Sequence, residues 1–475
     1  MRHRSWIVAA GLCLTFITLP SQGAPGLAVA PILISGASPY RDGPCGERPV
    51  VDSEHDQFLA VDPSNPENLI VAWDQDDNSG TVAAYSSDGG QSWNRSMLPR
   101  LTSCTSDAPD DYAWDPWVSI GADGAAYAIA SLQDADAPAL KNPHEFAVGV
   151  NVSHDGGRTW GDSVIVAREL LPITVTDKTT IRADPHVAGR AYATWSSIAL
   201  FPGTTSNLVS RTDDHGQTWS ERVTIYAPPP DRAVFDSEIH VMADGSLLAT
   251  FLEFPSQPLL LVTGDFQEGA FFVKATRSLD NGRTWSAPVT VTELASETLN
   301  DPDGGPPLDG VPFQDVSTSI ASDGTVLVAW VDRSADPAAR VLVKASNDGG
   351  ATWAPPVTVA DLATPAFIAS VAAHPGGHWA ATFYDLRDDV AGNAGTLVSA
   401  WLRETRDAGA TWSEVALGGP FDARTLPDHV TSSPEWGDYF GLVALPGGFG
   451  ATFNLGAPQA QVGATDVFFM RTATD

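Results

Sequence analysis

The chain has little positive charge and no long apolar run beyond its first residues. Its 475 residues include 26 Lys+Arg against 58 Asp+Glu, so the formal net charge is −32. A surface of this sign disfavours nucleic acid and anionic membranes as partners, and it argues against a polyanionic substrate. After residue 20 no apolar stretch is long enough to span a bilayer. We therefore expect a protein that binds neither nucleic acid nor membrane.

The N-terminus has the pattern of an export signal. A basic start at residues 1–4 precedes an apolar stretch at 5–20, and small residues at Ser21 and Gly23 suit a cleavage site. Residues 1–23 are thus predicted to be a signal peptide, which makes the protein secreted, extracellular or periplasmic. No linker or shift in composition divides residues 24–475, so a single domain is predicted there.

Cysteine is scarce, with three residues in the chain. Cys13 would leave with the signal peptide, and Cys45 and Cys104 would remain. In an exported protein two cysteines favour one disulfide, with a metal pair or two free thiols as the alternatives.

One short pattern, S/T-x-D-x-G-x-T/S-W, occurs six times, and its tryptophans are 59 to 68 residues apart. The aspartates of the pattern are Asp88, Asp155, Asp214, Asp280, Asp348 and Asp407. Asp and Gly suit a tight turn between strands, and the tryptophan can anchor one unit against the next. The recurrence predicts one supersecondary unit repeated. Each turn offers a single carboxylate, so these are structural aspartates and not calcium ligands.

The pattern resembles the Asp box of the sialidase-like (BNR-repeat) β-propeller superfamily, and the resemblance extends from about residue 56 to the end. It implies an all-β propeller of four-stranded blades, with each box between the third and fourth strands. Seven pairs of apolar inner strands accompany the six boxes, so seven blades are predicted, with six as the alternative. The last blade lacks a fourth strand, which residues 27–34 are predicted to supply.

Acidic residues stand where six of the seven inner strands are predicted to begin. They are Asp56, Asp115, Asp177, Asp236 with Glu238, Asp315 and Asp438. Such residues can simply bind loop N–H groups. Alternatively, they form an acidic mouth that supplies catalytic carboxylates or holds a structural cation. No other cofactor is expected.

The loops that leave the second strands carry aromatic side chains beside acids and arginines. These candidates for sugar binding are Trp73, Arg333, Tyr384, Asp385 and Arg387. Aromatic rings beside polar groups suit stacking on a sugar. The alternative is an Arg–Asp pair that braces two loops. Both cysteines are predicted to lie on this face as well.

The resemblance to sialidases implies roles for particular residues. Residues 437–454 resemble the strand that carries the tyrosine nucleophile, which implies that role for Tyr439. Residues 237–251 resemble the strand that carries its glutamate partner, which implies Glu238 as the base. Asp385 or Asp115 would then be the acid.

The match to the sialidase pattern is incomplete. The Arg-Ile-Pro signature is missing, and the chain reads HDQFLAVDP at residues 55–63. Asn454 stands where the family has a glutamate. Arg333 and Arg387 are the candidates for holding a substrate carboxylate, since arginine can pair with it through two hydrogen bonds.

Three functions follow from these residues. The leading hypothesis is an exported sialidase-like glycoside hydrolase, either an exo-sialidase or a related glycosidase. The second is a non-catalytic propeller that binds a glycan or a protein. The third is a glycanase that cleaves neutral polysaccharide with two carboxylates. The expected partner is a glycan or another small molecule, and the expected state is a monomer.

Overall fold

The computed structural model is built almost entirely from β-strands. It describes residues 30–43, 45–46, 50–105, 108, 110–134, 145–170, 174–199, 203–255, 269–295, 299, 301–305, 308, 316–335, 338–390, 392, 395–427 and 434–472. The predicted signal peptide and residues 27–29 of the predicted N-terminal strand lie outside these ranges. Within them, no helix has the length and apolar character of a membrane span.

Twenty-eight strands form seven antiparallel sheets of four strands each, which confirms seven blades. The strands are β1 (Ile32–Leu33), β2 (Glu54–Val61), β3 (Leu69–Gln75), β4 (Gly80–Ser86), β5 (Asn94–Met97), β6 (Tyr112–Ile120), β7 (Ala126–Gln133), β8 (Glu145–Ser153), β9 (Val164–Leu170), β10 (Thr174–Ala183), β11 (Ala191–Ala199), β12 (Thr204–Thr212), β13 (Val223–Tyr226), β14 (Arg232–Val241), β15 (Leu247–Pro255), β16 (Ala270–Ser278), β17 (Val289–Ala295), β18 (Val316–Ile320), β19 (Val326–Ala335), β20 (Ala338–Ser346), β21 (Val357–Leu362), β22 (Ala366–Ala373), β23 (Trp379–Asp385), β24 (Leu397–Thr405), β25 (Ser413–Asp422), β26 (Gly441–Leu445), β27 (Gly448–Gly456) and β28 (Thr465–Arg471). Two 3-10 helices, Pro375–Gly377 and Ala423–Thr425, complete the regular structure of the described residues.

The blades are arranged in a ring around a central channel. The first six blades follow chain order, from β2–β5 to β22–β25, and the seventh has the order β1-β28-β27-β26. Their inner strands are β2, β6, β10, β14, β18, β22 and β26, and all seven line a cavity of about 300 Å³. We call the end of the channel where these strands begin the channel mouth. The opposite end is the box face, because the six turns lie there.

The six turns connect the third and fourth strands of the first six blades, as predicted. In the first, Asp88 Oδ1 accepts from the backbone N–H of Ser92 at 2.9 Å, and Ser86 Oγ donates to the same oxygen at 2.8 Å. The hydroxyl of Ser92 also donates to Asp88 Oδ2 at 2.6 Å, and this bond, together with the other two, lowers the pKa of Asp88 to about 2. All six aspartates make the equivalent bonds to the residue four positions later, at 2.8–2.9 Å. The carboxylates are therefore engaged by their own turns.

The tryptophans of the turns pack between blades. Trp93 of the first blade lies against Phe469 of the seventh, with ring centroids 5.2 Å apart. Trp160 of the second blade donates from Nε1 to Ser96 Oγ of the first at 3.0 Å. Each turn thus contributes to the interface between neighbouring sheets.

The N-terminal strand closes the ring, as the missing fourth strand predicted. Ile32 and Leu33 pair with Phe469 and Phe468 of the last blade. Just beyond this pairing, Asp466 is fully buried and its carboxylate accepts four hydrogen bonds. The donors are Ser35 Oγ (2.8 Å), Gly36 N (3.2 Å), Gln461 N (2.6 Å) and Val462 N (2.9 Å). This carboxylate joins the N-terminal segment to the C-terminal strands.

The predicted disulfide is confirmed. Cys45 and Cys104 are bonded, with their Cα atoms 5.4 Å apart and a sequence separation of 59. The bond ties the segment that follows the closing strand to the loop between the first and second blades. It restricts the freedom of that segment in the unfolded chain, which favours the folded ring.

Replacing Asp466 with alanine should destabilise the closed ring. Four donors would lose a charged acceptor, and we expect the free energy of unfolding to fall by about 3 kcal/mol. Denaturant unfolding of Asp466→Ala measures this loss. Glu293→Ala, an exposed acid on an outer strand, is the control and should change stability by less than about 0.5 kcal/mol. Equal stability of the two variants would contradict closure through Asp466.

Candidate functional site

A ring of β-bulges surrounds the channel mouth. In five inner strands two residues face one residue of the neighbouring strand, and the first of the two has a positive φ. These residues are Asp56 (φ 54°), Asp115 (50°), Lys178 (51°), Asp236 (56°) and Ile368 (50°). Aspartate tolerates this backbone conformation better than most residues. The shared bulge brings three carboxylates and one ammonium to equivalent positions around the channel.

The bulges correct the strand boundaries expected from the sequence. The predicted loops before Phe58, Trp117 and Thr179 are parts of β2, β6 and β10, because a bulged strand continues past an unpaired residue. In the third blade the predicted acid, Asp177, precedes the bulge position by one residue. Lys178 and not Asp177 occupies the bulge position there. Asp315 lies outside the described residues.

Lys178 is the charged centre of the mouth. Its Nζ pairs with the carboxylate of Asp438 and lies 3.5 Å from Asp115 Oδ1, and its backbone N–H donates to Asp115 Oδ2 at 2.6 Å. Burial lowers the pKa of the ammonium, but the carboxylates of Asp115, Asp177, Asp236 and Asp56 outweigh burial and raise it. The lysine is therefore a permanent cation that holds the acids of several blades together.

The seventh blade closes this network through its backbone. The N–H of Asp438 donates to the carboxylate of Asp56. Gly437, with φ 78°, packs so closely that an added Cβ would lie 2.3 Å from the backbone nitrogen of Asp56. A glycine is needed here for both the backbone angle and the close approach.

Tyr439 lies at the mouth, but its partner is not the one that the sialidase resemblance implied. Its hydroxyl donates to Asp115 Oδ1 at 3.3 Å. Glu238 instead lies 3.2 Å from His240 Nε2, and no hydrogen bond joins Tyr439 to Glu238, both of which the structure describes. Burial raises the pKa of the phenol well above its usual value, and the charges of Asp115 and Asp56 raise it further. The phenol therefore stays protonated and acts as a hydrogen-bond donor.

A small cavity below Tyr439 collects the remaining acids. It has a volume of about 20 Å³ and is lined by Trp117, Thr180, Asp236, Glu238, Val316, Asp438 and Tyr439. This is room for about one water molecule. Burial raises the pKa of Asp236 to about 7; Lys178 opposes this shift, whereas Asp177 and Glu238 add to it. Asp236 Oδ2 is buried and has no hydrogen-bond partner. A carboxyl group that is half protonated near neutral pH can give or take a proton.

Aromatic rings flank the mouth on one side. Phe58 and Trp117 are stacked, and Trp117 meets Tyr439 edge to face with ring centroids 5.1 Å apart. Trp114 is partly exposed, and its Nε1 donates to Asp177 Oδ1 at 3.1 Å. Trp114 is thus a partly exposed ring beside the acids of the mouth.

Asp385 and Arg387 form a bracing network within the sixth blade. Arg387 Nε donates to Asp385 Oδ2 at 2.7 Å, and its NH1 donates to Glu414 of the outermost strand at 2.7 Å. Trp401 of the third strand donates to Asp385 and lies under the guanidinium. These bonds direct both side chains towards the outer strands. The structure does not join either residue to Tyr439, Asp115 or Glu238.

Burial corrects the expected role of the other second-strand residues. Trp73 is 0% exposed and Tyr384 1% exposed, so neither ring offers a face to a sugar. Trp73 Nε1 donates to Gln75, and the Tyr384 hydroxyl donates to Asn454. Arg333 is also buried. The sequence pattern of aromatic and charged residues was a core pattern here, because the second strand of a blade has neighbours on both sides.

The sequence interpretation missed Lys178, Trp114 and Trp117. Their signal is a spacing: the bulge residue stands two positions before the first inward side chain, as in Asp115 and Trp117. Aligning the third blade by this spacing would have selected Lys178 over Asp177.

Known proteins resemble this chain in fold, and the resemblance does not assign an activity. The sequence matches no family model and no curated protein. A polysaccharide lyase described as an ulvan lyase, solved with a bound -[GlcA(1-4)Rha3S]- unit, is 10% identical with a TM-score of 0.53. The match covers 94% of this chain and 96% of that one. The shared property is the fold.

Two further structures are less similar in shape. A Hadza microbial sialidase is 14% identical with a TM-score of 0.47, over 85% of this chain and 73% of that one. An α-L-arabinanase of Penicillium chrysogenum, complexed with arabinobiose, is 11% identical with a TM-score of 0.48, over 83% and 99% of the two chains.

Lys178→Met tests whether the lysine offsets the charge of the mouth. Without the lysine, ionisation of the buried acids is no longer compensated by a positive charge. We therefore expect the free energy of unfolding to fall by about 3 kcal/mol at pH 8. The loss should be smaller at pH 5, because these carboxyls, whose pKa values rise further in the variant, can then take up protons. Urea unfolding at both pH values measures the difference.

Lys344→Met is the matched control. Lys344 donates to the backbone oxygen of Val291 at 2.7 Å and has no carboxylate partner in the described structure. Its loss of stability should be the same at pH 5 and pH 8. A pH-independent loss in Lys178→Met as well would show that Lys178 does not compensate the acids.

Proposed function

We propose that the protein is a glycoside hydrolase that acts on a neutral glycan at the channel mouth, with Asp236 as the general acid. The observation that carries the proposal is the Asp236 carboxyl, whose pKa is about 7 and whose Oδ2 is buried without a partner. Glu238 and Asp438 line the same cavity. A protonated carboxylic acid beside a second carboxyl group is the arrangement that glycosidic cleavage uses.

In this mechanism the acid protonates the oxygen of the departing sugar. A second carboxylate, Glu238 or Asp438, then either activates a water molecule that attacks the sugar, or attacks the sugar itself to form an ester that water hydrolyses in a second step. The cavity of about 20 Å³ suits one water molecule and is too small for a sugar ring. The sugar would therefore lie above the mouth, where Trp114 can stack against it.

The charge of the mouth favours a neutral sugar over a sialic acid. A sialic acid carries a carboxylate, which needs arginines or other free cations. Among the described residues, the cation at the mouth is Lys178, and it already pairs with Asp115 and Asp438. Tyr439 keeps its proton and donates to Asp115, so we assign it to positioning Asp115 and not to nucleophilic attack.

The solved structures of similar fold agree with a glycan as the substrate class. They include proteins described as a polysaccharide lyase, a sialidase and an arabinanase. The fold alone does not distinguish these activities. The acidic mouth favours a neutral sugar as the substrate.

A substrate panel tests the proposal. The chain from residue 24 would be incubated with neutral arabinan, galactan and glucan oligosaccharides and with sialosides, and new reducing ends would be measured. We expect turnover of a neutral oligosaccharide and none of the sialosides. Turnover of sialosides would restore the tyrosine mechanism, and glycan binding without any turnover would identify a non-catalytic propeller.

Asp236→Asn tests the acid with the identified substrate. The amide cannot donate a carboxylic proton, so kcat should fall by at least about 10²-fold. In the wild type the rate should fall as the pH rises through about 7, because Asp236 loses its proton. Any residual activity of the variant should not show this fall in rate around pH 7.

Folding must be unchanged for this result to count. Asparagine accepts the positive φ of this position and carries no charge, so stability at pH 8 should equal or exceed that of the wild type. Glu293→Ala is the activity control and should retain wild-type kcat. Full activity in Asp236→Asn would exclude it as the acid.

A further inference from the structure

A buried cluster of one histidine and two aspartates lies in the first blade, beside the mouth. His55 and Asp56 belong to β2, and Asp74 of β3 is the direct cross-strand partner of His55. The three are 3%, 5% and 0% exposed, respectively. One potential ligand atom from each lies within 4.8 Å of those of the other two.

Polar atoms in this cluster are buried without hydrogen-bond partners. His55 Nε2 makes no hydrogen bond and lies 3.9 Å from Asp74 Oδ1, and Asp74 Oδ2 is also unpartnered. Buried polar atoms in native proteins are nearly always satisfied, and leaving one unsatisfied costs about 1–3 kcal/mol. The imidazole and the facing carboxylate therefore point to a ligand between them.

The other ring nitrogen is already oriented. His55 Nδ1 lies 3.1 Å from Asp56 Oδ2 and 3.8 Å from Glu435 Oε1. Histidines that bind metals commonly donate from their second nitrogen to a carboxylate, which fixes the ring and its tautomer. The contact between His55 and Asp56 has this form.

Three carboxyl groups surround His55, those of Asp56, Asp74 and Glu435. No described lysine or arginine forms an ion pair with His55, Asp56 or Asp74. A cation would supply the missing charge.

We propose that His55, through Nε2, and Asp74 bind one divalent cation of the zinc or manganese class, while Asp56 holds the imidazole from its other nitrogen. An imidazole combined with carboxylates suits these ions, whereas Ca²⁺ prefers a shell of oxygens alone. Metal–ligand bonds of about 2.0–2.2 Å place neighbouring ligand atoms roughly 3.3 Å apart. The 3.9 Å between His55 Nε2 and Asp74 Oδ1 needs only a small contraction.

The ion would join β2 and β3, the first two strands of the first blade, and would support the mouth. Asp56, which holds the imidazole, also accepts from the backbone of Asp438, so a metal on His55 would stiffen the contact between the first and seventh blades. The site is distinct from the proposed catalytic acid, because it lies on β2 and β3, whereas Asp236 lies on β14.

Metal binding to the purified chain from residue 24, without an affinity tag and after chelator treatment, tests the site. Zn²⁺, Mn²⁺ and Ca²⁺ would each be titrated by calorimetry, and thermal unfolding would be followed with and without each ion. We expect one equivalent of Zn²⁺ or Mn²⁺ with a raised melting temperature, and at least about tenfold weaker binding of Ca²⁺. No stoichiometric Zn²⁺ or Mn²⁺ binding, or tighter Ca²⁺ binding, overturns the proposal.

Asp74→Asn locates the ion. The variant keeps the side-chain shape but loses a charged ligand, so affinity should fall more than about tenfold. Its metal-free melting temperature should equal or exceed that of the wild type, because a buried charge is gone. Asp123→Asn is the control, since Asp123 pairs with His215 at 2.7 Å on the box face. Wild-type affinity in Asp74→Asn, or an equal loss in Asp123→Asn, would also overturn the proposal.

Discussion

Every blade of this protein is a sheet with two apolar faces, and each face must be covered by a neighbouring blade. Ile70 and Ala72 of the first blade pack with Val118 and Ala128 of the second, and similar clusters lie between other blades. An open row of blades would leave two such faces in water, so the ring has to close. Closure is achieved by pairing the first strand with the last and by the buried carboxylate of Asp466. The channel and its mouth exist because of this closure.

The closed ring also explains the chemistry at the mouth. Bulges at equivalent positions turn acids from separate blades towards one axis, where solvent is limited. Proton affinity rises at both groups for different reasons: the neighbouring carboxylates raise the pKa of Lys178 against the effect of burial, and burial raises the pKa of Asp236 to about 7. No single strand causes these pKa shifts. They arise because seven strands that are distant in sequence converge.

Much of the fold was predictable from the sequence. The six turns, the seven strand pairs, the N-terminal closing strand and the pairing of Cys45 with Cys104 are all confirmed. These features depend on local signals, namely turn chemistry, alternating apolar residues and a count of strands.

The candidate site was only partly predictable. Tyr439, Asp115 and Glu238 do lie at the mouth, but the partner of Tyr439 is Asp115. Trp73 and Tyr384 are core residues.

The sequence by itself determined the propeller, its number of blades and the face on which acids collect, because each of these follows from patterns within one repeat. Only the tertiary structure decided which acids meet, which one keeps its proton and which aromatic rings stay buried. A side chain at the mouth is placed by the bulge of its own strand and by the strands of other blades. Those neighbours lie tens to hundreds of residues away from it in the chain, so no local sequence pattern predicts which they are.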